Sequence, residues 1–134
     1  MKSEEFSLKT PRQSEMIDIT HHIAGLVQGS GITNGTITIY CPHTTAGITI
    51  NENADPDVVH DMLKQLDTMV PWRQPFFDHN EGNSAAHVKS SMIGASETIP
   101  IINGGMALGT WQGIYFCEFD GPRLRKFIVT ISGK

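Results

Sequence analysis

The run Thr36-Ile37-Thr38-Ile39-Tyr40-Cys41 alternates between polar and apolar positions more clearly than any other in the chain. Successive side chains of an extended backbone point to opposite sides, so this pattern predicts a strand with one buried face. Pro42 ends its ladder, and Gly47 to Asn51 alternates again as a second strand. Shorter or more apolar runs predict strands over Glu4 to Lys9, Glu97 to Ile102, Trp111 to Phe119 and Leu124 to Ser132. Helical spacing takes over elsewhere. Ile19, Ile23, Leu26 and Val27 predict a helix over Thr20 to Val27, capped by Asp18 or Thr20 and ended by Gly29-Ser30-Gly31. Asp55-Pro56 opens the strongest helix, because Asp caps orphan N–H groups and Pro lacks the N–H that a first helical residue would leave unused. Val59, Leu63, Leu66 and Val70 form its apolar face, with Met62 and Met69 beside it, and Pro71 closes it. After a polar and aromatic loop, Ser84 to Ser91 reads as a short helix between Gly82 and Gly94. Asn34-Gly35 and Gly104-Gly105 are turn signals, and Asp120-Gly121-Pro122 joins the last two strands as a hairpin.

The order is β-α-β-β-α-α-β-β-β. Strands and helices do not alternate regularly, which argues against a doubly wound parallel sheet. The expected fold is α+β: a single domain over residues 1–134, with a largely antiparallel sheet and helices packed on it.

Composition narrows the function classes. The 134 residues are 39% hydrophobic and 18% charged, a balance that supports one real core and no disordered tail. Ten Lys and Arg against fourteen Asp and Glu give a net charge of −4, which disfavours nucleic acid and anionic membranes as partners. No apolar run reaches the roughly 18 residues of a membrane span, and the start of the chain lacks a signal-peptide pattern. The two cysteines, Cys41 and Cys117, have apolar flanks and read as reduced core residues of a cytoplasmic domain. Six histidines are the first sign of chemistry.

His43 continues the parity of Ile37, Ile39 and Cys41, so it should emerge at the rim of the apolar face. It is a candidate acid–base group, or a loop histidine bonded to a neighbouring carbonyl. Glu52 shares parity with Ile48 and Ile50, and Asn51 adds an amide; but a tight turn at Thr44 to Gly47 would leave His43 and Glu52 at opposite ends of a strand. Asp78 to His87 is the densest polar segment. It holds His79, Asn80 and Glu81 on a loop, then Ser84, His87, Ser90 and Ser91 on one helical face. The helix start offers free N–H groups suited to phosphate. Trp111 reads as core or as a stacking platform, and Gln112 shares parity with Ile114, Phe116 and a second carboxylate, Glu118. Arg123 could pair with a carboxylate or clamp a phosphate. His43, His79 and His87 could hold zinc or manganese with an open fourth position, although their spacing matches no local metal motif.

Four strings are specific in combination and in order: His43-Thr44-Thr45-Ala46, Asn51-Glu52-Asn53-Ala54-Asp55-Pro56, Glu81-Gly82 through Ala86-His87-Val88-Lys89-Ser90-Ser91, and Gly109-Thr110-Trp111-Gln112-Gly113-Ile114. Together they resemble the YjbQ-like family across nearly the whole chain. The resemblance implies a compact α+β fold, a homotrimer and a secondary thiamine-phosphate synthase activity, joining an aminopyrimidine diphosphate to a thiazole phosphate. That reaction normally uses magnesium, and no organic cofactor is expected. By the same resemblance the family's histidines match His43, His79 and His87, its acidic and amide positions match Asn51, Glu52, Glu81, Gln112 and Glu118, and its closing arginine loosely matches Arg123; read as residues, His43, Glu52, His87 and Glu118 are the catalytic candidates. Asn51, Asn80, Glu81, Ser84, Ser90, Trp111, Gln112 and Arg123 are candidates for contacts to a phosphorylated small-molecule substrate. A metal-dependent hydrolase and a non-enzymatic small-ligand-binding trimer are the alternatives.

Overall fold

A computed structural model describes residues 1–134. The chain runs β1 (Lys2–Thr10), β2 (Glu15–Asp18), α1 (Thr20–Ser30), β3 (Gly35–Tyr40), β4 (Ala46–Glu52), α2 (Pro56–Met69), α3 (Ser84–Ile93), β5 (Ser96–Ile102), β6 (Gly105–Met106), β7 (Gln112–Glu118) and β8 (Arg123–Gly133). The α+β expectation holds. There are two sheets, in strand order β1-β8-β3-β5-β6 and β2-β7-β4, and every pairing is antiparallel. β2, four residues long and without alternation, and the two-residue β6 are additions to the elements read from the sequence.

Alternation explains the five-stranded sheet. Ile37 and Ile39 of β3, Ile99 and Ile101 of β5, and Phe127, Val129 and Ile131 of β8 are buried and share one core with Ile48 of β4 and Ile114 and Phe116 of β7. Helix α1 adds Ile19, Ile23 and Val27 to this core. β7 is buried on both faces. Its other parity, Tyr115 and Cys117, joins Phe119 in a second cluster with Ala86 of α3 and the half-buried Val59, Leu63 and Leu66 of α2. The three-stranded sheet therefore lies between the larger sheet and the α2–α3 pair. Both cysteines are buried thiols, as their flanks predicted.

Only α2 has a side-chain N-cap: α1 has Ile19 at its N-cap position, not the expected Asp18 or Thr20, and neither it nor α3 has a side-chain cap bond. Asp55 accepts the Asp57 N–H at 2.9 Å and Pro56 begins α2. Gly31, at φ 71°, ends α1 in the left-handed conformation. The β5–β6 turn is Asn103-Gly104, with φ 51° and 81°, one residue earlier than the Gly-Gly pair suggested. No helix is long and apolar enough to cross a membrane.

Two connections differ from expectation. The β7–β8 link is not a hairpin, and β3 does not pair with β4. In each case the chain leaves one sheet and enters the other. The β1–β2 link makes the same crossing. Short links between alternating strands suggested pairing, but burial of β7 on both faces and of β8 on one commits them to different sheets.

Candidate functional site

The three crossings meet at one end of the molecule, and a buried ion pair joins them. Glu118 follows the parity of Ile114 and Phe116, and Arg125 that of Phe127, Val129 and Ile131, so both charged groups point toward the core. Their exposures are 0% and 4%. Burial is tolerable because every acceptor site is used. Glu118 Oε1 accepts from Thr10 Oγ1 (2.6 Å) and Arg125 Nε (2.7 Å). Oε2 accepts from the Asp120 N–H (2.9 Å) and Arg125 Nη2 (2.5 Å). Arg125 Nη2 also donates to Thr45 Oγ1 at 2.8 Å. Thr10 ends β1, Thr45 precedes β4, Glu118 ends β7 and Arg125 lies near the start of β8, so one pair fastens all three crossings. Burial by itself would raise the Glu118 carboxyl, but the hydrogen bonds from Arg125, Thr10 and the Asp120 amide outweigh it and hold its pKa below 4.5. A carboxylate so enclosed and so fully hydrogen-bonded is placed to brace the site.

Beside this brace lies a cleft of about 320 Å³. The β3–β4 crossing contributes Pro42, His43, Thr44 and Thr45. The approach to α3 and its first turn contribute Glu81, Asn83 and His87. The β7–β8 crossing and the start of β8 contribute Asp120, Arg123 and Arg125. Apart from Pro42, every side chain on this lining is polar or charged. Helix α3 can lie this close because Gly47 has no side chain: a Cβ there would stand 2.5 Å from the Gly94 carbonyl oxygen. Ser90, buried on α3, donates to the Thr44 carbonyl at 2.5 Å and draws the helix against the β3–β4 crossing.

The two cleft histidines are held differently. His43 Nε2 accepts the backbone N–H of Lys126 at 2.9 Å. An imidazole that accepts at Nε2 carries its proton on Nδ1, so this neutral ring is a donor with no lone pair left over. Burial and the neighbouring Arg125 guanidinium lower its pKa below 6.5. His87 is half-buried, and its ring meets that of exposed His79 edge to face at 5.6 Å between centroids. His79 Nε2 lies 3.8 Å from Glu81 Oε1.

A set of three imidazole ligands does not form. His43 has no free lone pair, and no group of three His, Cys, Asp or Glu side chains is arranged to hold a metal ion within the chain. Glu81 and Asp120 are the cleft's carboxylates, the oxygen donors that magnesium prefers, but Asp120 Oδ2 already accepts from Asn83 Nδ2 (2.9 Å) and Arg123 Nη2 (2.8 Å). Zinc or manganese on the three histidines, and magnesium on a carboxylate cluster, both lack a complete ligand set here.

Of the candidates read from the sequence, His43, Glu81, His87 and Arg123 come together on this cleft. Arg123 is committed to Asp120, donating from Nε to its carbonyl (2.9 Å) and from Nη2 to its carboxylate. It is a paired residue, not a free phosphate clamp. Ser90 is structural, and Ser84, His79 and Asn80 lie off the lining. Asn51, Glu52, Trp111 and Gln112 are at the other end of the β4–β7 ladder. Glu52 pairs with Gln112 six residues from the Ala46–Glu118 pair, about 20 Å away at a strand's rise of about 3.3 Å per residue. There, Asn51 Oδ1 accepts the Glu52 N–H (2.7 Å), Gln112 Oε1 accepts the Gly109 N–H (2.8 Å), and Trp111 is 63% exposed. These four residues do not share a site with His43 and His87 within one chain.

Sequence reasoning missed Asn83, Thr45, Asp120 and Arg125. Only Arg125 left a signal: a charge on the core-facing parity of a strand, opposite a carboxylate on the same kind of parity.

A family model described as UPF0047 protein YjbQ-like matches residues 4–134. The UPF0047 protein YugU of Bacillus subtilis (strain 168) is 57% identical over 126 residues, which are 94% of this chain and 96% of that one. The UPF0047 protein MJ1081 of Methanocaldococcus jannaschii is 52% identical over 131 residues, covering 96% and 93%. Among solved structures, a YjbQ/UPF0047-family protein from Clostridium acetobutylicum superposes with a TM-score of 0.94 at 54% identity, covering 96% of this chain and 99% of that one. A protein from Aeropyrum pernix K1 gives the same TM-score at 34% identity over the whole of both chains. These relatives' names give a family and no activity. The chain belongs to the YjbQ-like UPF0047 family.

Proposed function

We propose that the cleft is the active site of an enzyme acting on a small polar molecule. His87 takes or gives the proton, and His43 is a fixed donor to a substrate oxygen. One observation carries this reading: two imidazoles face a cleft whose lining is polar or charged apart from Pro42, and the Lys126 amide locks one of them as neutral. A protein has little reason to gather so many polar groups in a concavity unless something polar fills it. The division of labour follows from lone pairs. His43 has none to offer, so proton transfer falls to the other ring.

The thiamine-phosphate synthase-type activity implied by resemblance fits this cleft poorly. No Phe, Tyr or Trp side chain lines it to stack on a pyrimidine or thiazole, and Arg123 is paired with Asp120. We therefore propose that reaction, with magnesium supplied, as weak and secondary. The test is turnover by wild type and His87→Ala on that substrate pair, and on panels of phosphoesters, esters and lactones. Any activity found should fall by about 10²–10⁴ in the variant, with an unchanged thermal midpoint because His87 is only half-buried. Turnover that survives in a folded His87→Ala protein would remove His87 from the mechanism.

We also propose that the chain assembles as a homotrimer, the order that the family resemblance implies. Helix α2 fully buries none of its residues, and Val88 and Met92, four apart on α3, are exposed. Neighbouring copies would cover such surface. Light scattering should give three times the 14.7 kDa chain mass, and a monomer mass would sink the assembly.

A further inference from the structure

The brace does not use all of Arg125. Its Nε–H goes to Glu118 Oε1, and its Nη2 serves Glu118 Oε2 and Thr45 Oγ1. The third guanidinium nitrogen, Nη1, donates to nothing in the chain. Only Asn83 Oδ1 is a side-chain nitrogen or oxygen sealed from solvent without a partner, so the unpartnered Nη1 reaches open space. The Arg125 side chain is 5% exposed and lines the cleft, which is therefore where that small exposure lies. The same reasoning holds for His43. Its ring accepts at Nε2, its Nδ1–H has no acceptor, and the residue lines the same cleft without appearing among the sealed groups.

Both groups can only donate. A guanidinium has no acceptor, and the other ring nitrogen of His43 is already occupied. Helix α3 adds to this side of the cleft. Its N-cap residue, Asn83, lines the cleft and makes no side-chain cap bond, and the N–H groups of Ser84 and Ala85 have no acceptor. The positive end of an uncapped helix therefore stands beside the two free donors. Acceptor-only oxygens match such a wall, and those of a carboxylate or phosphate gain most from a guanidinium, because both partners carry charge. Glu81 opposes an anion, but its side chain is 68% exposed and lies 3.8 Å from His79 Nε2, so water screens it. Arg125 is paired with Glu118, so aimed hydrogen bonds, and not net charge, would hold the ligand.

We propose that the cleft binds the oxyanion group of a small molecule, a carboxylate or a phosphate, through Arg125 Nη1 and His43 Nδ1–H. This rests on the reading of the cleft as the active site and names the group by which its substrate is held. The test is an NMR titration of the whole protein at neutral pH with acetate and with inorganic phosphate. Acetamide serves as the neutral match for acetate, and sodium chloride as the control for ionic strength. At least one of the two oxyanions should give saturable shifts of the Arg125 side-chain and His43 ring signals, and acetamide should give none. A response to acetate alone identifies a carboxylate, and a response to phosphate alone identifies a phosphoryl group. Arg125→Lys keeps a positive charge beside Glu118 but lacks Nη1, and should weaken binding by about tenfold. Should that variant fail to fold, His43→Phe takes its place, with a loss of the same order from removing the Nδ1–H donor. Shifts equalled by sodium chloride, binding that leaves the Arg125 and His43 signals unmoved, or full affinity in either folded variant would overturn the assignment. If neither oxyanion binds while His87→Ala abolishes turnover of some substrate, the oxyanion assignment alone falls. If the oxyanions bind as expected while His87→Ala leaves turnover intact, the role of His87 falls and the anion site stands.

Discussion

His43 Nε2 cannot both accept the Lys126 N–H and carry a proton. Protonating it would set two N–H groups against each other at 2.9 Å and add a charge beside Arg125. The folded protein therefore holds this ring neutral below the pH at which an unfolded chain would protonate it. The linkage has a definite sign. With the folded pKa lowered from 6.5, the contribution to stability is complete above about pH 6.5 and is lost as the pH falls toward the folded value. Nitrogen-15 NMR of the histidine rings should show His43 as the Nδ1–H tautomer at pH 7, with a midpoint below 6.5. An Nε2–H tautomer, or a His43 midpoint at or above 6.5, would remove the donor role assigned to it. At this scale the sequence was half legible. Parity placed His43 at the rim of the apolar face, and the polar segment around His87 stood out. Asn83 stayed hidden because its partner, Asp120, lies 37 residues away, whereas Arg125 left only its core-facing parity opposite Glu118.

The elements were readable wherever a local rule decides the outcome. Asp55-Pro56 opens α2, Gly31 ends α1, and the Thr-Ile repeat of β3 buries the expected face. The links were harder to read. Asn103-Gly104 takes positive φ at both residues and makes a true two-residue hairpin between β5 and β6. Asp120-Gly121-Pro122 looks similarly compact but carries the chain between sheets. The difference lies in what each strand packs against. β7 is covered by α2 and α3 on one face and by the larger sheet on the other, whereas β8 is buried on one face alone. Alternation within a strand reports its own faces and not the sheet to which a neighbour belongs. β2 escaped notice for a related reason. Its four residues pair with β7 along one edge and bury no residue fully.

At the scale of the whole molecule, the cleft exists because three crossings between the sheets occur at one end, and the Glu118–Arg125 pair is where they are fastened. Removing one partner strands the other charge in the core, a change that typically costs about 3–5 kcal/mol. Glu118→Ala should therefore lower the unfolding free energy at pH 7 by about that amount, measured by urea denaturation. Replacing both partners with apolar residues, as in Glu118→Leu with Arg125→Met, should recover much of it, since the penalty belongs to the unpaired charge. The same pair sets an acid limit. Because the Glu118 pKa is held below 4.5 in the folded chain, its contribution is present above about pH 4.5 and is lost as the pH falls through the folded value. The Asp18 carboxyl, also lowered, adds to the slope in the same range, so the informative quantity is a difference between proteins. Between pH 5 and 2, wild type should lose stability more steeply than Glu118→Gln, whose amide cannot titrate. Parallel curves would mean that Glu118 shares its proton affinity with the unfolded chain, and the brace would then be a matter of packing alone. Steeper loss in wild type, together with disturbed His43 and His87 signals in Glu118→Gln, would show that this buried pair holds the geometry of the cleft.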